Sequence, residues 1–295
     1  MQRSRMLIAL AFGPVLFGQS YTFTSLEFPG GAAALTTGTF PSGINNLGTI
    51  VGWYFDTTRT FQHGFLLQEG TYTAFDVPDS IETSLNGING QGDIIGDYAL
   101  SAPGHTFILQ GIVLTNIDFP GFGSRSLGIN NLDEIVGFYS DNGFLHGYLR
   151  ERDQFITIDV PFAVAGSTTA TGRNDSGQIV GSYGGSDGNV HGFLKDGSSF
   201  TGLDVPFPGV MNTACNGINN KGEIVGGYLD NLGVHGFIFS NGVFTSLDVS
   251  FPEVSDVTST IVEGINDLGE IVGTYARTGG TTFGFLAKPV GGASQ

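Results

Sequence analysis

Short runs of Ile, Val, Phe and Thr alternate along this chain with turns rich in Asn, Gly, Asp and Pro. In the stretch that begins at Thr83, the alternation predicts β-strands over 83–89, 93–98, 105–109 and 114–119. No window shows the apolar period of about 3.6 residues that an amphipathic helix requires. The pattern therefore predicts an all-β protein built from short strands.

The same pattern of four strands recurs six times. Each copy opens with a Gly-x-Asn triplet, usually Gly-Ile-Asn, and continues through Ile-Val-Gly-x-Tyr and His-Gly-Phe, or close variants, to a strand that ends near Asp-Val-Pro. A repeat of about 40–45 residues with four strands is typical of one blade of a β-propeller. The triplet glycines are Gly43, Gly87, Gly128, Gly172, Gly217 and Gly264.

The two ends of the chain supply complementary parts of one copy. Residues 21–29 resemble a fourth strand with no partner before it, and residues 283–287 resemble a third strand with no fourth strand after it. Pairing the two would leave no open sheet edge. We therefore predict a six-bladed β-propeller over residues 21–288, with four antiparallel strands per blade and the last blade closed by the N-terminal strand. Residues 289–295 are predicted to form a short C-terminal tail.

The repeated block resembles that of a known family. Gly-Ile-Asn followed by Ile-Val-Gly, with His-Gly-Phe downstream, is similar to the repeats of bacterial extracellular HAF-type proteins, which are named for a His-Ala-Phe-like triplet. The middle residue of that triplet is Gly here in four copies and Thr106 in the second. The resemblance implies an exported protein with β-propeller-like repeats, and it carries over no catalytic residue.

The first twenty residues have the pattern of an export signal. Arg3 and Arg5 precede an apolar segment over 6–17, and small residues before the end of the stretch predict cleavage after Ser20. An uncleaved membrane anchor is the alternative, although twelve apolar residues are short for a membrane span. We therefore predict an exported protein, secreted or periplasmic, that does not contact a membrane after cleavage and is a monomer.

The formal net charge of −16 narrows the range of partners. Removal of the signal segment would take away the charges of Arg3 and Arg5, leaving −18 on the mature chain. Nucleic acid and anionic membrane surfaces demand a basic protein, so both are excluded as partners by this prediction. The single cysteine, Cys215, leaves no partner for a disulfide within the chain and lies in an apolar strand.

All five histidines belong to the repeat, and each is followed thirteen residues later by an aspartate. If Leu67 faces Tyr72 across a hairpin, His63 and Asp76 lie directly opposite each other and touch. We interpret the pairs as buried structural His–Asp bonds and not as metal ligands, because one imidazole per copy spreads the rings around the structure. In the sixth copy both members change together, to Phe283 and Glu27. The predicted pairs are His63–Asp76, His105–Asp118, His146–Asp159, His191–Asp204 and His235–Asp248.

The loops differ between copies, and binding residues are expected where the copies differ. In a propeller the first-to-second and third-to-fourth turns share one face, here called the turn face. The other connections share the opposite face, here called the loop face. A ring of loop-face carboxylates could hold Ca²⁺ or a polyhydroxylated ligand beside the only tryptophan, and the alternative is ordinary solvated turn residues. The candidate ligand-binding residues are Trp53, Asp56, Arg59, Asp97, Asp141, Asp187, Asp230 and Arg277.

These observations favour an exported, non-catalytic binding propeller whose glycan or protein ligand binds the loop face. No residue is predicted to be catalytic, and apart from the possible Ca²⁺ no cofactor is expected. One alternative is a glycan hydrolase or lyase that uses carboxylates such as Asp97 and Asp141 as acid and base, which needs them about 5–10 Å apart. Another alternative is a structural protein of the cell surface or matrix.

Overall fold

The computed structural model describes residues 20–29, 38–56, 61–100, 104–252 and 254–290. Every helix or strand element in these residues is a β-strand, β1 to β24, so the chain is all-β as the alternation predicts. These residues include no helix that is long and apolar enough to cross a membrane. The predicted export signal lies, apart from Ser20, outside the described residues.

The strands follow the repeat. β1 (Tyr21–Leu26) precedes the first copy, which contains β2 (Thr39–Ile44), β3 (Ile50–Phe55), β4 (Gln62–Gln68) and β5 (Thr71–Phe75). The second contains β6 (Glu82–Ile88), β7 (Ile94–Ala99), β8 (His105–Gln110) and β9 (Val113–Asn116). The third contains β10 (Gly123–Ile129), β11 (Ile135–Asp141), β12 (Phe144–Glu151) and β13 (Gln154–Ile158). The fourth contains β14 (Thr169–Arg173), β15 (Ile179–Gly184), β16 (Val190–Asp196) and β17 (Ser199–Gly202). The fifth contains β18 (Asn212–Ile218), β19 (Ile224–Leu229), β20 (Val234–Ser240) and β21 (Val243–Leu247). The sixth contains β22 (Val257–Ile265), β23 (Ile271–Arg277) and β24 (Thr282–Pro289).

Each of the first four copies forms its own four-stranded antiparallel sheet, and an eight-stranded sheet contains the rest. Within that larger sheet, β18–β21 and β22–β24 with β1 are two antiparallel groups, joined by one parallel residue pair, Val234 with Ser259. β1 pairs with β24, and Tyr21 lies opposite Pro289. β24 ends at Pro289, which is the first residue of the predicted C-terminal tail. Four-stranded antiparallel sheets in sequential order make the architecture a β-propeller.

One fourth strand is shorter than predicted. β9 ends at Asn116, whereas the sequence predicted a strand to residue 119. Beyond β9 the backbone N–H of Ile117 still donates to the carbonyl of Thr106 at 2.9 Å, and Asp118 Oδ1 accepts the backbone N–H of Thr106 at 2.7 Å.

The asparagines of the repeat triplet form a closed ring of hydrogen bonds. Each side-chain amide donates to the backbone carbonyl of the corresponding asparagine in the next copy, at 3.0–3.3 Å. The sixth bond returns from Asn266 to Asn45, so the six copies are joined in a circle. This asparagine ring consists of Asn45, Asn89, Asn130, Asn174, Asn219 and Asn266, all of them buried.

The triplet glycines allow the copies to approach one another at the ring. A Cβ atom built on Gly128 would lie 2.5 Å from the carbonyl oxygen of Thr171 in the next copy, a distance that no real side chain tolerates. Further out, one aromatic ring per copy is fully buried, and burying such a side chain stabilises the fold by roughly 1.5–3 kcal/mol. These rings belong to Phe65, Phe107, Tyr148, Phe193, Phe237 and Phe285.

Tyr148 is the one tyrosine at this buried aromatic position. Its side chain is fully buried, and its hydroxyl has no hydrogen-bond partner among the described residues. Burial raises the pKa of Tyr148 far above its ordinary value. The hydroxyl therefore costs stability, because a buried polar group without a partner has lost its bonds to water.

Tyr148→Phe is expected to raise the free energy of unfolding by about 1–2 kcal/mol, because it removes the unpaired hydroxyl and keeps the ring. Chemical denaturation of the two proteins measures the difference. The reverse change at the equivalent position, Phe107→Tyr, is the control and is expected to destabilise. A Tyr148→Phe protein that is less stable than the wild type would contradict this account of the core.

Candidate functional site at the mouth of the axial channel

The first strand of every copy, which is the inner strand nearest the channel, carries a β-bulge at the same point of the repeat. The pairing register between the first two strands of each copy shifts at the residue before the triplet glycine, so that residue has no partner in the ladder. A bulge re-aims the extra side chain. All six of these residues line one channel, whose narrow end the asparagine ring surrounds. The six bulge residues are Ser42, Asn86, Leu127, Thr171, Asn216 and Glu263.

The channel is widest toward the loop face. Its mouth has a volume of about 310 Å³ and is lined by the six bulge residues together with others that include Phe40, Trp53, Arg125 and Thr274. The cavity beside the triplet glycines has a volume of only about 80 Å³, and the cavity at the asparagine ring has a volume of about 70 Å³. The mouth is therefore the part of the channel with room for a ligand.

Two stacked aromatic rings form one side of the mouth. The rings of Phe40 and Trp53 lie 3.9 Å apart between centroids and are nearly parallel, at 8°. The edge of the stack is supported by Phe55, whose ring is perpendicular to Trp53 at 5.3 Å. Neighbouring strands hold the stack, since Phe40 on β2 pairs with Trp53 on β3. Both side chains are only partly buried, so the mouth offers a rigid aromatic surface.

A cleft of about 360 Å³ opens beside the mouth and shares Arg125 with it. Its lining includes Asp97, His105 and Phe138. Asp97 Oδ2 accepts hydrogen bonds from Arg125 Nε at 2.9 Å and from Asn86 Nδ2 at 2.6 Å. Burial raises the pKa of Asp97, although the positive charge of Arg125 and both hydrogen bonds oppose that shift. The mouth and the cleft, together the loop-face site, meet at the Asp97–Arg125 pair.

The structure brings two of the eight predicted ligand-binding residues into the loop-face site. Trp53 lines the mouth and Asp97 lines the cleft. Both occupy the same repeat position, on the second strand of their copies, where the sequence varies most visibly. Within the described residues, the other predicted side chains do not line either cavity.

Three of those other residues are held within their own loops or lie beyond the site. Asp141 accepts a hydrogen bond at 2.7 Å from the neighbouring asparagine, and Arg277 Nε donates to Asp256 at 2.8 Å. Asp56 follows β3 and donates its backbone N–H to the far side of the same loop, at Phe61. Arg59 lies outside the described residues.

The five histidines contact the aspartates that follow them by thirteen residues. Each Nδ1 lies 2.8–3.1 Å from a carboxylate oxygen of that aspartate. In the first copy the strands pair in the register that places Leu67 opposite Tyr72, and the aspartate follows the end of the fourth strand. Each imidazole also stacks on the tyrosine that ends the second strand. The aspartate side chains are 38–48% exposed, so the expectation of buried pairs is wrong. Each aspartate lies one or two residues after the end of the fourth strand of its copy, at the outer edge of the sheet, where solvent reaches the carboxylate.

Two histidines have a second carboxylate neighbour. His191 Nε2 lies 3.0 Å from Asp187, and His235 Nε2 lies 3.4 Å from Asp230. The hydrogen bond from His191 lowers the pKa of Asp187 to about 2 and the same contact raises the pKa of His191. The pKa of Asp230 is also lowered, chiefly by the backbone N–H of Leu232. Asp187 is thus hydrogen-bonded to the histidine of its own hairpin. Asp230 lies within ion-pair distance of His235, whose Nε2 has no hydrogen-bond partner among the described residues.

The alternation of strand residues does not predict the six bulge residues as site residues. Their signal is present in the chain, because the residue before the triplet glycine differs between copies while the glycine itself is constant. That residue lies inside a predicted strand, and alternation alone does not reveal a bulge. Among the described residues, no group of three or more His, Cys, Asp or Glu side chains is placed to hold a metal ion. Calcium at the loop face stays a prediction.

No known protein-family model matches the sequence, and no curated protein sequence is significantly similar to it. The resemblance to HAF-type proteins therefore stays a prediction, carried by the repeat motif alone.

Three solved structures of β-propellers are similar to this chain at low sequence identity. TolB from Acinetobacter baumannii superposes with a TM-score of 0.57 at 12% identity, over 81% of this chain and 63% of TolB. This chain thus spans less than two thirds of the TolB chain. The β-propeller domain of the Trilobed protease from Pyrococcus furiosus gives 0.54 at 13% identity, over 84% and 78% of the two chains. A fungal lectin from Aleuria aurantia, with a six-bladed β-propeller fold, gives 0.52 at 10% identity, over 88% and 97%. At such identities the likeness establishes the β-propeller fold and nothing about function.

Asp187→Asn tests the second carboxylate on His191. The pKa of His191 is raised above its unfolded value of about 6.5, so this contact stabilises the fold fully below that pH and loses its effect as pH rises through the folded pKa. Asp187 itself stays ionised throughout that range. We expect the substitution to lower the melting temperature more near pH 6 than near pH 9, values that bracket the histidine titration roughly. Asp141→Asn, whose carboxylate contacts an asparagine instead, is the control; an equal effect of Asp187→Asn at both pH values would refute the coupling.

Proposed function

We propose that this chain is an exported, non-catalytic binding module and that its ligand is a glycan held at the mouth of the channel. The observation that carries the proposal is the mouth itself, where an aromatic stack and six bulge side chains of five different types share one concavity of about 310 Å³. The C–H face of a sugar packs against an aromatic ring, and its hydroxyls need donors and acceptors around it. Four bulge residues offer side-chain oxygens as acceptors for sugar hydroxyls: Ser42, Asn86, Thr171 and Asn216. The hydrogens of Asn86 and Thr171 are already donated within the scaffold.

We also infer that the propeller has six blades, with the eight-stranded sheet counted as two. The closed asparagine ring with one member per copy supports this count, as does the single parallel pair that joins the two halves of the large sheet. The last blade would then consist of β22, β23, β24 and β1. Each blade contributes one bulge residue, so the mouth presents one such side chain per blade. Export rests on the signal pattern of residues 1–20.

The hydrolase or lyase alternative has less support. Asp97 is held by Arg125, Asn86 and the backbone N–H of Ser126, which favours a structural anion at that position. Asp141, proposed as its partner from the sequence, lines neither the mouth nor the cleft. The positions of Asp97 and Asp141 therefore argue against their acting together as catalytic acid and base.

A protein ligand is a second candidate, favoured by the apolar side chains on the loop face. Large hydrophobic residues there are 40–87% exposed, and exposed apolar surface of this kind marks interaction sites. They lie around the rim and not in the channel, so a protein would bind a broader surface than a glycan would. They include Phe61, Ile81, Leu100, Phe122, Phe144, Phe162, Val164, Val190, Met211 and Leu232.

Binding of the purified protein to a glycan panel tests the proposal, followed by titration of any ligand found. Trp53→Ala removes half of the aromatic stack and is expected to weaken binding by about tenfold or more. Leu127→Trp is expected to block the mouth by bulk without removing a hydrogen bond, so it remains informative if Trp53→Ala is unstable. Phe144→Ala, an exposed aromatic outside the site, is the control. A panel with no ligand, or a ligand that both mouth variants bind as tightly as the wild type, would overturn the proposal.

A further inference from the structure

Glu263 is the only acidic residue among the six bulge residues. It lies on β22, between Asn216 and Ser42 in the order of the copies, and it lines both the mouth and the narrower part below. Its carboxylate makes no hydrogen bond or ion pair with any described residue. A carboxylate so placed is unusual, because buried or half-buried charges are ordinarily paired.

The neighbouring bulge residues show why Glu263 is left without a partner. Asn86, Thr171 and Asn216 each donate a hydrogen bond to a backbone carbonyl of the next copy, at 2.7–2.9 Å. The carbonyl accepting from each lies one residue before the next bulge residue, which for Glu263 corresponds to Pro41. An ionised carboxylate has no hydrogen to donate to a carbonyl. The side chain that differs from its neighbours in charge is thus also the one that the scaffold leaves unpaired.

The positive charges around the channel are already engaged. Arg125 at the mouth donates to Asp97, and Arg173 in the narrow part donates to Glu134 at 2.7 Å. Burial raises the pKa of Glu263 to about 7. Because nothing in the described channel neutralises it, the carboxylate is available for a positive group brought by a ligand.

We propose that the ligand of the mouth carries a primary ammonium group that binds Glu263, which makes the ligand class a glycan with a free amino sugar. This inference rests on the proposed glycan function and narrows it. An ammonium has three hydrogens to donate. The bulge residues on either side of Glu263 provide two acceptors, the Ser42 hydroxyl and the Asn216 amide oxygen. The stacked rings of Phe40 and Trp53, on the adjoining first copy, add a surface that attracts cations. An N-acetylated sugar has lost this charge and adds bulk at the same nitrogen.

Isothermal titration with two matched oligosaccharides tests the inference: a short β-1,4 glucosamine oligomer with free amines and its fully N-acetylated counterpart. The wild type is expected to bind the amine form at least about tenfold more tightly near pH 7, because the Glu263 carboxyl, whose pKa is raised to about 7, is mostly protonated at lower pH. Glu263→Gln keeps the size of the side chain and is expected to abolish that preference. Asp153→Asn, which removes an equal charge at a side chain that is 98% exposed and distant from the site, is expected to preserve it.

The outcomes separate the two proposals. Equal binding of both oligosaccharides, or an amine preference that survives in Glu263→Gln, overturns the role of Glu263 and leaves the glycan function standing. Failure of these oligosaccharides and of every panel glycan to bind overturns both. A lysine tripeptide, titrated in parallel, covers the other source of a primary amine. Binding of that peptide in a manner that depends on Glu263, without binding of the amino sugar, would overturn the glycan class in favour of a protein ligand.

Discussion

The hydrogen-bonded ring of six asparagines is the interaction on which the rest of the structure depends. Each amide oxygen accepts backbone N–H groups of its own turn, as Asn45 does from Leu47 and Thr49, while each amide nitrogen donates to the next copy. Because these groups are buried, a missing bond would leave a polar atom unpaired in an apolar interior. The ring therefore fixes the spacing of the copies, and only glycine fits where their inner strands meet.

That spacing also explains where binding chemistry can occur. Inner strands brought so close to the axis carry a bulge before the glycine, and the bulge turns one side chain per copy into the channel. The scaffold is the same six times, but the side chain it presents is not. Ser, Asn, Leu, Thr, Asn and Glu around one mouth, beside the Phe40–Trp53 stack, make an asymmetric site from a symmetric frame. Glu263 follows the same logic, since the scaffold satisfies a donor at that position and leaves an acceptor free.

Much of this architecture is readable from the sequence, because period, alternation and turn residues act locally and agree with each other. The four strands per copy and the opposition of His63 and Asp76 follow from such local patterns. The triplet asparagine is present in every copy, but its structural role does not follow from the sequence. Its hydrogen bonds run between copies, which local patterns do not show. The contacts that loop carboxylates make within their own loops are equally hidden from the sequence. Asp187 is held by a histidine four residues away, and a list of loop residues does not show which contacts they already have.

The free energy of unfolding of Asn45→Asp tests the asparagine ring most directly. Aspartate keeps the oxygen that accepts from Leu47 and Thr49, but it replaces the donor to Asn89 with a second oxygen facing a carbonyl. Asn241→Asp, which adds the same charge at an exposed turn with no acidic neighbour in the sequence, is the matched control. The ring predicts a loss of about 2–4 kcal/mol at residue 45 and little change at residue 241. An Asn45→Asp protein within about 0.5 kcal/mol of the wild type would show that the ring does not hold the copies together.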